Sequence, residues 1–176
     1  MPNETCISVD IESSGPIPGE FSMLSLGACV VRNTSRKYYV MLKPISERFV
    51  PEALKVSGFS LDELKKTGIE PKIAMSAFSD WVDEVTAGGR PVLVAFNATF
   101  DWQFVNYYFH KFLGKNPFGI SGLDIKAYYS GKFSKQWSET TKSKFDKRFL
   151  SNKPHTHNAL DDAIEQAEIF EKLLDA

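Results

Sequence analysis

Apolar positions first recur along the chain with a period of two. Cys6 to Ile11 is a short β-rich run that ends in acids, Met23 to Val31 is a second apolar run, and Lys37 to Leu42 alternates as a strand does. Gly15-Pro16-Ile17-Pro18-Gly19, between the first two, has the composition of a turn or loop. Three strands on short connections predict an antiparallel meander. From Pro71 the period changes: Ala74, Ala77, Phe78, Trp81, Val82 and Val85 fall at helical spacing and stop at Gly88-Gly89. Pro91 to Phe96 is short and wholly apolar, as a strand buried on both faces is. Asp101 opens another helix with Phe104, Val105, Tyr108 and Phe112 on its stripe and Gly114 at its end, and a last helix runs from about Asn158 to Leu174. Strands first, then helix alternating with strand, predict a single α/β domain over residues 1–176. Its mixed central sheet has three antiparallel strands, then parallel ones, flanked by helices.

Composition adds exclusions. A length of 176 residues suits one domain with a sizeable core, and 43% hydrophobic with 24% charged residues is ordinary globular usage. With 21 Lys+Arg against 22 Asp+Glu the net charge is −1, which rules out a polybasic binder relying on bulk charge. Cys6 and Cys29 cannot build a disulfide scaffold or a four-ligand zinc site, and read as free thiols of a cytoplasmic protein. Met1-Pro2-Asn3-Glu4-Thr5 lacks the features of a signal peptide, and no apolar run reaches the roughly 18 residues of a membrane span.

The candidate chemistry lies in acids. Asp10 and Glu12 are two apart in a strand, so both side chains leave one face. Adjacent carboxylates repel each other, and a divalent cation such as Mg²⁺ or Mn²⁺ resolves the conflict; two solvated surface acids are the bland alternative. Asp101 follows the apolar strand after Asn97-Ala98-Thr99, where it serves as a helix-dipole residue or as a third converging acid. In the last helix Asp161, Glu165, Glu168 and Lys172 form an entirely charged face, read as the solvated one. Asp162 shares its line with Gln166, Ile169 and Leu173 and points inward. A carboxylate directed inward needs a partner, and His157 precedes the helix closely enough to reach the same place.

Charge is unevenly spread. Residues 126–153 carry eight basic side chains against Glu139 and Asp146, a local +6, with −2 before the segment and −5 after it. Tyr128, Tyr129, Phe133, Trp137, Phe145 and Phe149 are interleaved, a pattern that suits a single nucleic-acid strand or, for most of the rings, a core. The segment runs into His157, which makes a lid carrying that residue one expectation.

Together, Asp10-Ile11-Glu12, the segment Asn97-Ala98-Thr99-Phe100-Asp101 and the spacing of His157 to Asp162 resemble the three motifs of the DnaQ-like, DEDDh 3′–5′ exonucleases. The motifs stand in the family's order across almost the whole chain. Two positions depart mildly: Ser13-Ser14-Gly15 where many members have Thr-Thr-Gly, and Phe96 where a His commonly precedes the Asn. The resemblance implies a ribonuclease H-like fold with two Mg²⁺ or Mn²⁺ ions on Asp10, Glu12, Asp101 and Asp162, and His157 as general base. It implies hydrolysis of terminal phosphodiesters of single-stranded RNA or DNA from the 3′ end to nucleoside 5′-monophosphates, and it allows a homodimer. Expected substrate contacts are Ser13, Ser14, Met23, Asn97, Lys142 and Lys144, with Phe21 beside Met23. The alternatives are a catalytically silent nucleic-acid-binding module on the same fold and a metal-dependent phosphatase. The second fits poorly, because Asp10-Ile11-Glu12-Ser13-Ser14 lacks the second Asp of D-x-D-x-T.

Overall fold

A computed structural model describes residues 4–151 and 157–176. Five strands form one sheet in the order β3-β2-β1-β4-β5: β1 Glu4–Ser13, β2 Met23–Val30, β3 Asn33–Met41, β4 Arg90–Ala95 and β5 Leu123–Asp124. β1 to β3 pair antiparallel, and β4 joins β1 in parallel, as the change from meander to alternating pattern predicts. Strand β1 is longer than Cys6–Ile11, and Asp10 and Glu12 lie in its last pleats, as expected of acids at the strand's end.

Helices cover both faces. On one side α3 Pro71–Thr86 and α4 Ala98–Leu113 bury Ala74, Phe78, Val82, Phe104, Val105 and Tyr108 against Ile7, Val9 and Ile11 of β1. On the other, α5 Ile125–Phe133 and α6 Ala159–Asp175 set Ile125, Tyr129, Ala167, Ile169, Phe170 and Leu173 over Cys29 and Val94. Successive β4 side chains therefore enter different cores, Leu93 and Ala95 one and Val94 the other, which is why that strand is apolar without alternation.

Three details differ from the sequence expectations. The α3 stripe uses Met75, while Ala77 is exposed; the helix ends at Thr86, capped by Ala87 at φ 47, before the glycine pair. Two further helices, α1 Pro51–Ser57 and α2 Leu61–Thr67, are too short for a helical period to register. Helix α4 begins at Ala98, so Asp101 stands one turn inside it. Among the described residues no helix is long and apolar enough to cross a membrane.

Candidate active site

The alternation of β1 decides where its acids go. Ile7, Val9 and Ile11 point into the core under α3 and α4, so Ser8, Asp10 and Glu12 must leave the face that α6 covers. The pairing with β2 shifts between Glu12 and Ser13, and the chain then departs into the 15–20 loop. That bulge ends the regular strand immediately after the second acid.

Asp101 arrives from the other layer. Its carboxylate is 4% exposed, and Oδ1 accepts the backbone N–H of Ile11 at 3.1 Å, which ties the first turn of α4 to the middle of the Asp10–Glu12 pair. The turn that makes this possible is Asn97, in the left-handed region at φ 74, a conformation Asn tolerates better than most residues.

Helix α6 supplies the remaining groups through a close approach. Gly27 lies opposite Asp10 in the sheet, and a Cβ there would stand 2.3 Å from the backbone of Ala159 and Leu160. Only a glycine lets the first turn of α6 lie on β2 this tightly. Asn158 caps the helix, its side chain accepting from the Leu160 N–H at 3.0 Å and the Asp161 N–H at 3.3 Å. Asp162, 2% exposed, then faces the β1 acids, as its place on the inward line predicts. His157 sits at the rim, exposed, at φ 54. Ligand atoms of Glu12, His157 and Asp162 lie within 4.8 Å of one another.

These carboxylates disturb one another. Burial pushes Asp10 well above the ordinary carboxylate range, reinforced by the charges of Asp101, Asp162 and Glu12 and opposed by a hydrogen bond from Gln166. Burial and then Asp162 raise Glu12 to about 7. Burial likewise raises Asp101 to about 8 against the opposing backbone hydrogen bonds. Such mutually repelling, half-dry oxygens are a donor set that fits a hard divalent cation, whose charge would reverse every one of these shifts.

The groups open into one cavity of about 420 Å³ whose walls also include Phe96, Phe100, Lys126, Thr141 and Gln166. Of the expected substrate contacts, Asn97 and Lys142 line it. Ser14 and Met23 are fully enclosed: Ser14 Oγ donates to the Arg48 carbonyl at 2.9 Å, and Met23 lies in the core. Ser13 Oγ bonds within its own loop, to the Gly15 carbonyl at 2.8 Å, and Phe21 packs over Gly15. Lys144 is exposed. Gln166 is a site residue whose role sequence reading missed: its Nε2 donates to Asp10 at 2.6 Å and its Oε1 accepts from the Phe96 N–H at 2.7 Å. The available signal was its position one turn after Asp162.

The charged face of α6 needs correction. Glu165 is buried, its Oε2 2.7 Å from Lys142 Nζ; Ser151 Oγ donates to Glu168 at 3.0 Å and Lys172 Nζ to the Leu150 carbonyl at 2.7 Å. Loop residues 140–151 thus cover the middle of that face, while Asp161 and Lys172 remain exposed as expected, and helical periodicity says nothing about what covers a polar stripe. Most aromatics of the basic segment are core: Tyr129 stacks on Phe145 with centroids 3.9 Å apart, and Phe149 is 3% exposed. Asn152 and Lys153, the end of the expected basic segment, lie outside the described residues.

Four carboxylates and a histidine gather at the end of the central strand β1, in a mixed sheet of the ribonuclease H-like type. The chain belongs to the exonuclease family of the ribonuclease T type, whose family model matches residues 7–170. The 3′–5′ DNA exonuclease Cap18 of Escherichia coli is 48% identical over 173 residues, covering 98% of this chain and 92% of the relative. The nuclease domain of 3′hExo, a DEDDh family member bound to rAMP, matches with a TM-score of 0.76 at 15% identity, over 97% of this chain and 92% of that one. Exonuclease I of E. coli in complex with a dA16 oligonucleotide matches at 0.70 and 14% identity, over 98% of this chain and 42% of that one. The protein is accordingly a 3′–5′ exonuclease, a hydrolase of a divalent-metal-dependent family acting on nucleic acid, and the silent-module and phosphatase readings are not favoured.

Proposed function

We propose that the protein removes nucleoside 5′-monophosphates one at a time from the 3′ end of single-stranded DNA, using two Mg²⁺ or Mn²⁺ ions held by Asp10, Glu12, Asp101 and Asp162. The observation that carries this reading is the convergence of those carboxylates on one cavity, with a ring nitrogen of His157 within 4.8 Å of Glu12 and Asp162. Bound there, the cations supply Lewis-acid stabilisation of the phosphoryl oxygens and neutralise developing charge. His157, at the exposed rim, accepts the proton of the attacking water at a ring nitrogen. Water oxygen joins phosphorus, the bond to the 3′-oxygen of the preceding nucleotide breaks, and that oxygen takes a proton from solvent to leave as a new 3′-hydroxyl, while His157 later returns its proton to solvent. Gln166 orients Asp10 through its 2.6 Å bond.

An end-directed action is supported by what lies past Glu12. There the chain is sealed to its neighbours: Ser14 N–H donates to the Ser22 carbonyl, and Val50 N–H to the Ser14 carbonyl, each at 2.8 Å. A strand meeting such a wall enters by its terminus. DNA is preferred over RNA in this reading because the 48% identical relative is a DNA exonuclease. The reading extends to a cytoplasmic enzyme, consistent with Cys6 and Cys29 forming no disulfide, and to a homodimer, for which the open edge of β3 offers a surface.

The test is hydrolysis of single strands labelled at either end, DNA and RNA in parallel, with Mn²⁺ or Mg²⁺. A 3′ label should leave at once as a mononucleotide, a 5′ label should give a ladder, and DNA should be the faster substrate. Asp162→Asn should abolish both patterns while preserving the fold by circular dichroism. Release of inorganic phosphate alone, or binding without cleavage, overturns the reading.

A further inference from the structure

Trp137 is the exception among the aromatics of the basic segment. Tyr129, Phe145 and Phe149 are at most 3% exposed, yet Trp137 is 58% exposed. Single exposed apolar side chains are ordinary, and it is the position of this indole, in contact with Lys126 of the cavity wall, that sets it apart.

Its surroundings hold the indole in place. Trp137 begins a 3₁₀ turn, Trp137–Glu139, closed by reciprocal bonds between Gln136 and Glu139. Its carbonyl accepts from both the N–H and the hydroxyl of Thr140, at 3.1 and 2.8 Å, and Thr140 is fully buried. The next two residues, Thr141 and Lys142, are cavity wall. The platform is thus built into the rim of the site.

Lys126 joins the two. Its ammonium stands 4.3 Å from the centre of the Trp137 ring and 3.4 Å from Asn97 Oδ1, and both Lys126 and Asn97 line the cavity with the carboxylates. Among the described residues it makes no ion pair. The ammonium lies over one face of the indole, which leaves the ring's other face for a base, so the pair matches a nucleotide in both its parts, the phosphate and the base.

We propose that Lys126 and Trp137 form a second nucleotide subsite, upstream of the scissile bond. There Lys126 neutralises a backbone phosphate and Trp137 stacks on a base of the incoming single strand. The proposal rests on the exonuclease reading and adds a substrate-length preference to it. Stacking is tolerant of base identity, so the subsite favours longer single strands over dinucleotides without selecting sequence.

The test uses the full chain with DNA oligonucleotides. Trp137→Ala should raise KM for a hexanucleotide about tenfold relative to that for a dinucleotide, the size expected from losing one stacked base. Trp137→Phe should restore most of that loss. Lys126→Gln should reduce the slope of log binding constant against log salt by about one phosphate contact. Independently of turnover, oligonucleotide binding to the Asp162→Asn protein should quench tryptophan fluorescence, and the quench should vanish in Asp162→Asn/Trp137→Phe. Equal KM changes for both lengths, an unchanged salt slope, or a quench that survives Trp137→Phe overturns the subsite. If the wild-type protein degrades 3′ ends in that case, the exonuclease reading stands without it.

Discussion

Gln166 Nε2 lies 2.6 Å from Asp10 Oδ1, while the oxygen of the same amide accepts the Phe96 N–H at 2.7 Å. The two partners fix the amide's orientation, since a carboxylate needs a donor and an N–H an acceptor. Gln166 therefore acts as a strut between α6, β1 and the end of β4, and it holds a site carboxylate without itself belonging to the acidic set.

Gln166→Leu is expected to lower kcat about tenfold or more by releasing Asp10, and to cost about 1–3 kcal/mol of stability because the Phe96 N–H loses its partner. Gln166→Glu places a further carboxylate against Asp10 and should be worse at high pH than at low. Kinetics and denaturant melts across pH check both. A Gln166→Leu enzyme with unchanged kcat would show that Asp10 needs no strut.

Proton occupancy of the acids sets a pH dependence. Burial holds Glu12 up to about 7 and Asp101 up to about 8 in the folded protein. In the unfolded chain such groups ionise near pH 4, so between about 4 and 8 the folded state binds more protons. Their contribution to stability is fully present below about pH 4 and is lost as pH rises through 7 to 8. Metal-free protein should melt at lower temperature at about pH 9 than at about pH 6, and Mn²⁺ should raise Tm more at the higher pH, where it has fewer protons to displace. A metal-free Tm that rises over this range contradicts the repulsion described for the site.

Gly27→Ala puts a methyl 2.3 Å from the Ala159–Leu160 backbone, far inside van der Waals contact. Helix α6 must then lift, carrying Asp162 and Gln166 away from Asp10. The expected loss in kcat is about 10²-fold, and the stability cost about 1–3 kcal/mol, since overpacking is relieved by a small shift that catalysis does not tolerate. Activity near wild type would mean that the first turn of α6 is free to move without disturbing the acids.

The Lys142–Glu165 pair gives a fourth case. Glu165 has 9% of its side chain exposed and Lys142 has 34%, at 2.7 Å. Lys142→Met removes the ammonium 2.7 Å from a buried carboxylate and should cost about 1–3 kcal/mol, whereas Lys142→Met with Glu165→Gln should recover much of it. A double-mutant cycle of thermal or denaturant unfolding measures the coupling; strict additivity would assign Lys142 to solvent.

The order of the long elements and the direction of Asp10, Glu12 and Asp162 were legible in the residues. Period-two alternation put Asp10 and Glu12 on one face, and the 3.6 period separated inward Asp162 from outward Asp161, because both depend only on local geometry. Short α1 and α2 lacked enough turns to show a period. The burial of Glu165, the enclosure of Ser14 and Met23, and the strut made by Gln166 depend on segments distant in sequence, which no local pattern encodes.

By itself, then, the sequence determined an α/β chain with acids and a histidine at three separated places, since side-chain direction follows from backbone periodicity. Tertiary structure alone decided that these places meet. It laid β4 beside β1, tied Asp101 to Ile11 across two layers, and let α6 rest on Gly27. It also decided which basic and aromatic side chains serve as core and which, in Lys126 and Trp137, remain at the mouth of the cavity, because burial is a property of the neighbours a residue acquires only on folding.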